Sequence, residues 1–136
     1  MLAIIMKGTV RWVEDTTMEG ITEGGKKFGI YGKDYPSPME MLLHAHAACS
    51  FVDVIGGLKE RMEDVDEAWI EIDGTRRDES PRTFESVHMK YVINGNVPKE
   101  LVNRIIEYSH QKLCSVGIML TGYGMKLTWE LEINKI

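Results

Sequence analysis

The chain has 136 residues, of which 43% are apolar and 27% charged, a size and composition typical of one soluble globular domain. We therefore predict a single domain over residues 1–136. The net charge of −5 argues against nucleic-acid binding and against a polybasic membrane anchor, since both require a basic face.

The N-terminal run from Met1 to Met6 is apolar, but it is too short for the core of a signal peptide and no basic segment precedes it. Nothing in the sequence approaches a membrane span of about 20 apolar residues. We therefore expect a cytoplasmic protein that does not bind a membrane. Two cysteines are too few for a disulfide scaffold. In a reducing cytosol, such a pair fills the core as inert side chains, binds a metal or performs redox chemistry.

The predicted elements begin with short β-strands. Residues 4–14 are rich in β-forming side chains, and residues 17–23 and 26–31 are predicted as two further strands. Gly24-Gly25 between the second and third strands is typical of a hairpin turn.

A long helix follows, and three residues predict where it begins. Ser37 suits the N-cap, Pro38 suits the first helical position, and Glu40 completes a capping box. The helix is predicted to run to about Met62, and residues 41–58 are nearly all apolar. A helix that is apolar on most of its faces is a buried helix.

The rest of the chain is predicted as strands and helices in mixed order. Residues 68–76 and 83–94 alternate as two strands, and a helix runs from Pro98 to about Leu113. A separate helical segment is predicted over residues 115–121, and residues 125–133 alternate cleanly as a last strand.

This order of elements favours an α+β fold in which helices cover one face of an antiparallel sheet. The long central helix is too apolar to be covered by one side of such a sheet alone. We infer that it also packs against a second copy of the chain, which predicts a homodimer. Gly56-Gly57 near the end of this helix would let another element pack close to it.

Cys49 lies within the apolar helix, with His46 at i−3 and Asp53 at i+4 on the same face. Because a buried aspartate is rare unless it is paired, this face indicates a specific polar site. The alternative is that Cys49 fills space as a small apolar side chain and that His46 and Asp53 occupy a satisfied polar pocket.

Cys114 lies at the end of the second predicted helix, where exposed backbone groups can tune a thiol. His110 precedes it by one helical turn and Lys112 is close in sequence, so both are expected to lower the pKa of the thiol. The alternative is again an inert buried thiol beside a helix break.

Zinc is a third possibility, because two histidine–cysteine pairs occur at helical spacing. His46 with Cys49, and His110 with Cys114, would give the ligand set of a tetrahedral zinc site. The spacing argues weakly for it, since zinc-binding pairs usually lie on tight turns.

Two segments around the cysteines resemble the motifs of the OsmC/Ohr family. The run from Ser37 to Cys49 resembles the first motif, a Pro-led helix that carries Ala-Ala-Cys, and Leu113-Cys114-Ser115-Val116 resembles the second. The resemblance covers nearly the whole chain. Ser37–Met41, Val52-Asp53-Val54 and Arg76–Arg82 are most similar to the YhfA-type branch of the family.

The resemblance implies an OsmC/Ohr-like α+β fold in an intertwined homodimer, with two active sites at the subunit interface. The characterised enzymes of the family are thiol peroxidases, which implies that Cys49 is the peroxidatic thiolate and Cys114 the resolving thiol. The substrate would be a small organic hydroperoxide. A dithiol, lipoyl-type in some members, would be the reductant, and no metal or organic cofactor is needed.

The sequence departs from the peroxidase pattern at two places. Those enzymes carry a glutamate ten positions before the first cysteine, where this chain has Met39, and the adjacent Glu40 points about 100° away around the helix. They also hold the thiolate with an arginine from the N-terminal strands, where this chain offers lysines, including Lys26 and Lys27. A lysine supplies charge but not a planar two-pronged clamp.

Three functions follow, in order of preference. The first is a Cys49/Cys114 peroxidase for organic hydroperoxides that serves in oxidative-stress defence. The second is an OsmC-like protein without peroxidase activity that binds, or reacts with, a small apolar or electrophilic ligand. The third is a zinc-binding structural module.

Overall fold

A computed structural model describes residues 3–136, so the first two residues of the apolar N-terminal run lie outside the described part. The chain divides into two compact units, one up to Leu42 and one from Leu43 to Ile136. The elements of the described chain, in order, are β1 (Gly8–Glu14), β2 (Thr17–Thr22), β3 (Lys27–Ile30), α1 (Pro38–Gly57), a 3-10 segment (Lys59–Asp64), β4 (Val65–Arg76), β5 (Phe84–Gly95), α2 (Lys99–Tyr108), a π-helical segment (Ser109–Leu113), α3 (Ser115–Gly122) and β6 (Lys126–Asn134).

The first unit contains a three-stranded antiparallel sheet in the order β1-β2-β3. The predicted hairpin at Gly24-Gly25 is confirmed, since β2 and β3 pair on either side of it, with Ile21 opposite Lys27. Gly25 has a φ of 87°, a backbone conformation that favours glycine. The first strand begins at Gly8, four positions later than the predicted start.

The second unit contains a sheet in the order β4-β5-β6, and this sheet is mixed. β4 and β5 are antiparallel, with Ile70 opposite Tyr91, whereas β6 runs parallel to β5, with Leu131 opposite Tyr91. The expected sheet was antiparallel throughout. The difference arises because α2 and α3 lie between β5 and β6 in the chain, and a helical crossover of this length returns the chain in the same direction.

Helix α1 begins as predicted and ends earlier. The capping box is formed: the Ser37 N–H donates to Glu40 Oε1 at 3.0 Å and the Glu40 N–H donates to Ser37 Oγ at 3.2 Å. The helix ends at Gly57, and a 3-10 segment takes the place of its predicted last turn up to Met62. Across the described residues, no helix is both long enough and apolar enough to cross a membrane.

The core of the second unit lies between its helices and one face of its sheet. Its fully buried apolar side chains come mainly from α1, β5 and α2, and include Val54, Val87, Met89, Tyr91, Ile93, Val102 and Ile106. Within a single chain, the predicted burial of α1 is correct for only one of its faces. On the other face, Val52 is 67% exposed and Ile55 is 44% exposed. A second copy that would cover this exposed face stays a prediction.

Candidate functional site

The two cysteines come together in the second unit. Cys49 lies on α1 and is half-buried, whereas Cys114 lies between the π-helical segment and α3 and is fully buried. Both are free thiols, and the Cys49 thiol lies within hydrogen-bonding reach of the Cys114 thiol. The fold therefore joins two residues that are far apart in the sequence, and it leaves Cys49 as the more accessible of the two.

The Cys114 thiol is held by backbone groups. The Gly117 N–H donates to Cys114 Sγ at 3.4 Å, which makes Cys114 the N-cap of α3, and the thiol donates to the His46 carbonyl oxygen at 3.9 Å. Burial raises the pKa of the Cys114 thiol to about 11, against the opposing effect of the Gly117 N–H, and the neighbouring Cys49 and Asp53 raise it further. At neutral pH, Cys114 is therefore a thiol and not a thiolate.

The expectation that His110 and Lys112 lower the pKa of this thiol is wrong. Burial, followed by the nearby His46, lowers the pKa of His110 to about 4, against the opposing effect of Asp53, so that His110 is neutral at physiological pH and supplies no positive charge. Lys112 is exposed and is not among the groups that shift the pKa of Cys114.

A chain of hydrogen bonds crosses the site from Asp53 to His110. Ser109 Oγ donates to Asp53 Oδ2 at 2.7 Å, Ser50 Oγ lies 3.0 Å from Ser109 Oγ and 2.5 Å from the Tyr91 hydroxyl, and that hydroxyl lies 2.7 Å from His110 Nε2. A carboxylate only accepts, so the donor order follows from it: His110 to Tyr91 to Ser50 to Ser109 to Asp53. The predicted pairing of Asp53 is thus made by a serine, and His110 carries its proton on Nε2.

Tyr91 links the hydrogen-bond chain to the sheet of the second unit. It is fully buried on β5, and its hydroxyl also lies 3.5 Å from Met89 Sδ. Burial is the largest of the effects that raise the pKa of Tyr91, so the hydroxyl stays protonated as a donor. Trp129 meets the rings of Tyr91 and His110 edge-on, at centroid distances of 6.2 and 5.9 Å, and closes this side of the site.

His46 lies beside the thiols and is fully buried. Neither of its ring nitrogens has a hydrogen-bond partner among the residues that the structure describes. Burial lowers the pKa of His46, so the ring is neutral at physiological pH. A buried polar group without a partner costs about 1–3 kcal/mol, which points to a reason other than stability for a histidine at this position.

The remaining predicted supporting residues belong to the first unit. Glu40 caps α1, and Lys26 and Lys27 lie at the β2–β3 hairpin, all three in the first unit. Their roles at the thiols stay predictions.

The arginines of the β4–β5 connection make their contacts within that connection. Arg76 Nε donates to the Arg82 carbonyl oxygen at 2.8 Å, and Arg77 lies 4.0 Å from the Glu79 carboxylate. Neither contact involves a thiol.

The geometry does not favour the zinc alternative. Within residues 3–136, no group of three or more His, Cys, Asp or Glu side chains is arranged to hold a metal ion. His46, Cys49, His110 and Cys114 thus do not form a tetrahedral ligand set, and His110 Nε2 is instead engaged with Tyr91.

Four residues of the site were not predicted from the sequence. Ser50, Tyr91 and Ser109 form the middle of the hydrogen-bond chain, and Gly117 lets His46 and Cys114 approach each other. The one available signal was Ser50, a hydroxyl next to Cys49 on an apolar helix. Tyr91 and Ser109 read as ordinary strand and helix residues until tertiary folding brings them to α1.

Comparisons with known proteins show the family of this chain. A family model described as OsmC-like protein matches residues 31–130. The protein YhfA of Escherichia coli (strain K12) is 35% identical over 119 residues, which are 85% of this chain and 89% of that protein. This identity confirms the predicted resemblance to the YhfA-type branch.

Solved structures agree as well. A hypothetical protein from Aquifex aeolicus VF5 superposes with a TM-score of 0.84 at 27% identity, over 97% of this chain and 99% of that one. The organic hydroperoxide resistance protein OhrB of Bacillus subtilis shares the fold alone, with a TM-score of 0.58 at 18% identity, over 96% of this chain and 98% of that one. From the family model and the identity to YhfA together, we conclude that this chain belongs to the OsmC-like protein family.

Proposed function

We propose that this protein is a cytoplasmic thiol peroxidase that reduces organic hydroperoxides in oxidative-stress defence, with Cys49 and Cys114 as its redox pair. The observation that carries the proposal is the meeting of the two thiols, one half-buried and one fully buried. The shared fold with an organic hydroperoxide resistance protein supports it.

In the first step, Cys49 as thiolate attacks the distal oxygen of the hydroperoxide. The oxygen–oxygen bond breaks, the substrate leaves as an alcohol after taking up a proton, and Cys49 becomes a sulfenic acid. Cys49 suits this role because it is the thiol that a substrate can reach, whereas Cys114 has no exposed surface.

In the second step, Cys114 attacks the sulfur of the sulfenic acid, which forms a disulfide and releases water. An external dithiol, lipoyl-type by family resemblance, then reduces the disulfide by thiol–disulfide exchange and returns both thiols. The reaction needs no bound metal or organic cofactor, because the two cysteine sulfurs supply the two electrons that reduce the peroxide.

A second candidate function is favoured by one observation. Met39 stands where the peroxidases of the family carry a glutamate, and the adjacent Glu40 is engaged in the capping box. A member without this carboxylate would keep the fold and thiols, and its site would bind or react with a small apolar or electrophilic ligand instead of turning over peroxide.

The decisive experiment is peroxide turnover by the purified protein. With cumene or t-butyl hydroperoxide and excess dihydrolipoamide, the wild type should consume peroxide and Cys49→Ser should not, because the attacking sulfur is gone. Cys114→Ser should still form the Cys49 sulfenic acid, detected by dimedone labelling and mass spectrometry, but not the disulfide.

A wild-type rate no higher than that of Cys49→Ser contradicts the peroxidase and favours the second candidate function. His88→Gln serves as the control variant, because His88 is a half-buried side chain that bonds Thr128 and Glu130 on β6 and touches neither thiol.

A further inference from the structure

His46 and Cys114 converge on one glycine. A methyl group placed on Gly117 would lie 2.7 Å from His46 Nε2 and 3.2 Å from Cys114 Sγ, so the ring nitrogen and the sulfur face the same small space. Any larger residue at position 117 would enter that space. The glycine therefore permits the close approach of an imidazole and a thiol deep in the protein.

The second step of the proposed reaction needs a base at this point. A thiol attacks only as thiolate, and the pKa of Cys114, raised by burial to about 11, leaves it protonated at neutral pH. In the resting structure Cys114 is fully buried and has no contact with bulk water, so fast loss of its proton at neutral pH calls for a base inside the protein.

Two histidines lie near the thiols, and only one of them is free to accept a proton. His110 carries its proton on Nε2 and donates it to Tyr91 within the hydrogen-bond chain. His46 is neutral, fully buried and without a partner at either ring nitrogen among the described residues. The titratable groups that face this cluster are Cys114, which shares the space at Gly117 with His46, His110, whose pKa His46 shifts, Cys49 on the same helix, and Asp53, which acts on Cys114 and His110.

We propose that His46 is the general base that deprotonates Cys114 as the disulfide with Cys49 forms. The inference rests on the proposed two-cysteine function. As the sulfur–sulfur bond forms and the sulfur–oxygen bond of the Cys49 sulfenic acid breaks, the Cys114 proton passes to His46. The imidazolium then gives that proton to the departing hydroxide, which leaves as water.

The test uses Ellman's reagent, so that it does not depend on peroxidase activity. The reagent reacts first with the accessible Cys49, releases one thionitrobenzoate and leaves a second one bound to Cys49 as a mixed disulfide. Cys114 then displaces this second thionitrobenzoate, and the absorbance change reports the rate. As in the proposed second step, Cys114 has to lose its proton before it attacks. Thionitrobenzoate, however, leaves as a thiolate and takes up no proton.

We expect His46→Gln and His46→Met to slow the second release at pH 7 by about 10²- to 10⁴-fold, the usual contribution of a general base. The first release should be unchanged, and His88→Gln should behave as the wild type. In the His46 variants, the rate should rise about tenfold per pH unit as pH approaches the pKa of Cys114, because hydroxide then replaces the missing base. A merely structural role for His46 would slow the reaction by the same factor at every pH.

Two outcomes would overturn the proposal. One is a second release in His46→Gln and His46→Met as fast as in the wild type, or slower by a constant factor across pH. The other needs no variant: a wild-type rate that itself rises tenfold per pH unit between pH 7 and 9 shows that no internal base acts. Absence of peroxide turnover alone contradicts the proposed function and leaves this result standing.

Discussion

At the scale of single residues, burial decides the protonation states of the site. It raises the pKa of the Cys114 thiol and lowers the pKa of His46 and His110, because the charged form of each loses its water. Cys114, His46 and His110 are therefore all neutral at physiological pH. Because neither histidine carries a positive charge, we expect the chemistry of the site to depend on proton transfer between these groups.

The lowered pKa of His110 predicts a loss of stability in mild acid. His110 has a pKa of about 4 in the folded protein against 6.5 for an ordinary histidine, so the unfolded chain binds more protons between these values. The free energy of unfolding should fall as pH drops from about 6.5 to 4, with a contribution from His110 on the order of 1–3 kcal/mol. Above pH 6.5 this contribution is fully present.

Urea denaturation of the wild type and His110→Gln at pH 4.5, 5.5 and 7 measures this effect. The groups that face His110 are Tyr91, His46, Asp53 and Trp129, and all are kept in the variant. The variant should lose the part of the pH dependence that His110 contributes. Equal pH dependence in the wild type and His110→Gln would show that His110 titrates alike in the folded and unfolded states.

At the scale of elements, the close approach of α1 and α2 depends on one glycine. A methyl group on Gly57 would lie 2.8 Å from Ile105 Cδ1 and 3.0 Å from two further carbons of the same side chain, whereas one on Gly56 would meet nothing within 4 Å. The adjacent glycines therefore differ within this chain: the prediction that the pair lets another element pack close is confirmed for Gly57 against α2, and for Gly56 it stays a prediction.

Alanine substitutions separate these two roles. Gly56→Ala should stabilise the protein by up to about 1 kcal/mol, the usual gain in helix propensity. Gly57→Ala should instead be destabilised by about 1–3 kcal/mol relative to Gly56→Ala, because the new methyl group overpacks Ile105. Chemical denaturation of both variants at one pH measures the difference. Equal stability of the two would mean that Ile105 moves aside without cost.

At the scale of the whole molecule, the exposed face of α1 is the feature that a single chain does not explain. Val52 and Ile55 are apolar side chains near the C-terminal end of α1, and both are exposed. Apolar residues that line up on one exposed helix face are typical of a protein–protein contact. Together with the family resemblance, this face supports the predicted homodimer.

The homodimer predicts a concentration-independent mass twice that of the chain in analytical ultracentrifugation at micromolar concentration. Val52→Asp should shift the protein towards the monomer, because it places a charge on the apolar face. Lys59→Asp is the matched control, since it places the same carboxylate on an exposed polar position just after the helix. A monomeric wild type, or a Val52→Asp variant that stays dimeric, would contradict the prediction.

The sequence by itself determined the order of the elements, the family and the two motifs that contain Cys49 and Cys114. The capping residues Ser37 and Glu40, the Gly24-Gly25 hairpin and the alternation of β5 and β6 are local signals, and the structure confirms each of them. The motifs around Cys49 and Cys114 are local too. These features are readable because a cap, a turn or a strand period depends on residues a few positions apart.

Only the tertiary structure decided the direction of β6, the hydrogen-bond chain and the protonation of the site. Ser50, Tyr91 and Ser109 lie on three elements, and nothing local shows that their hydroxyls meet. The error over Cys114 has the same origin. A nearby histidine and lysine predict a lowered thiol pKa, but the pKa depends on how much water the fold removes, and that depth of burial is a property of the packed molecule.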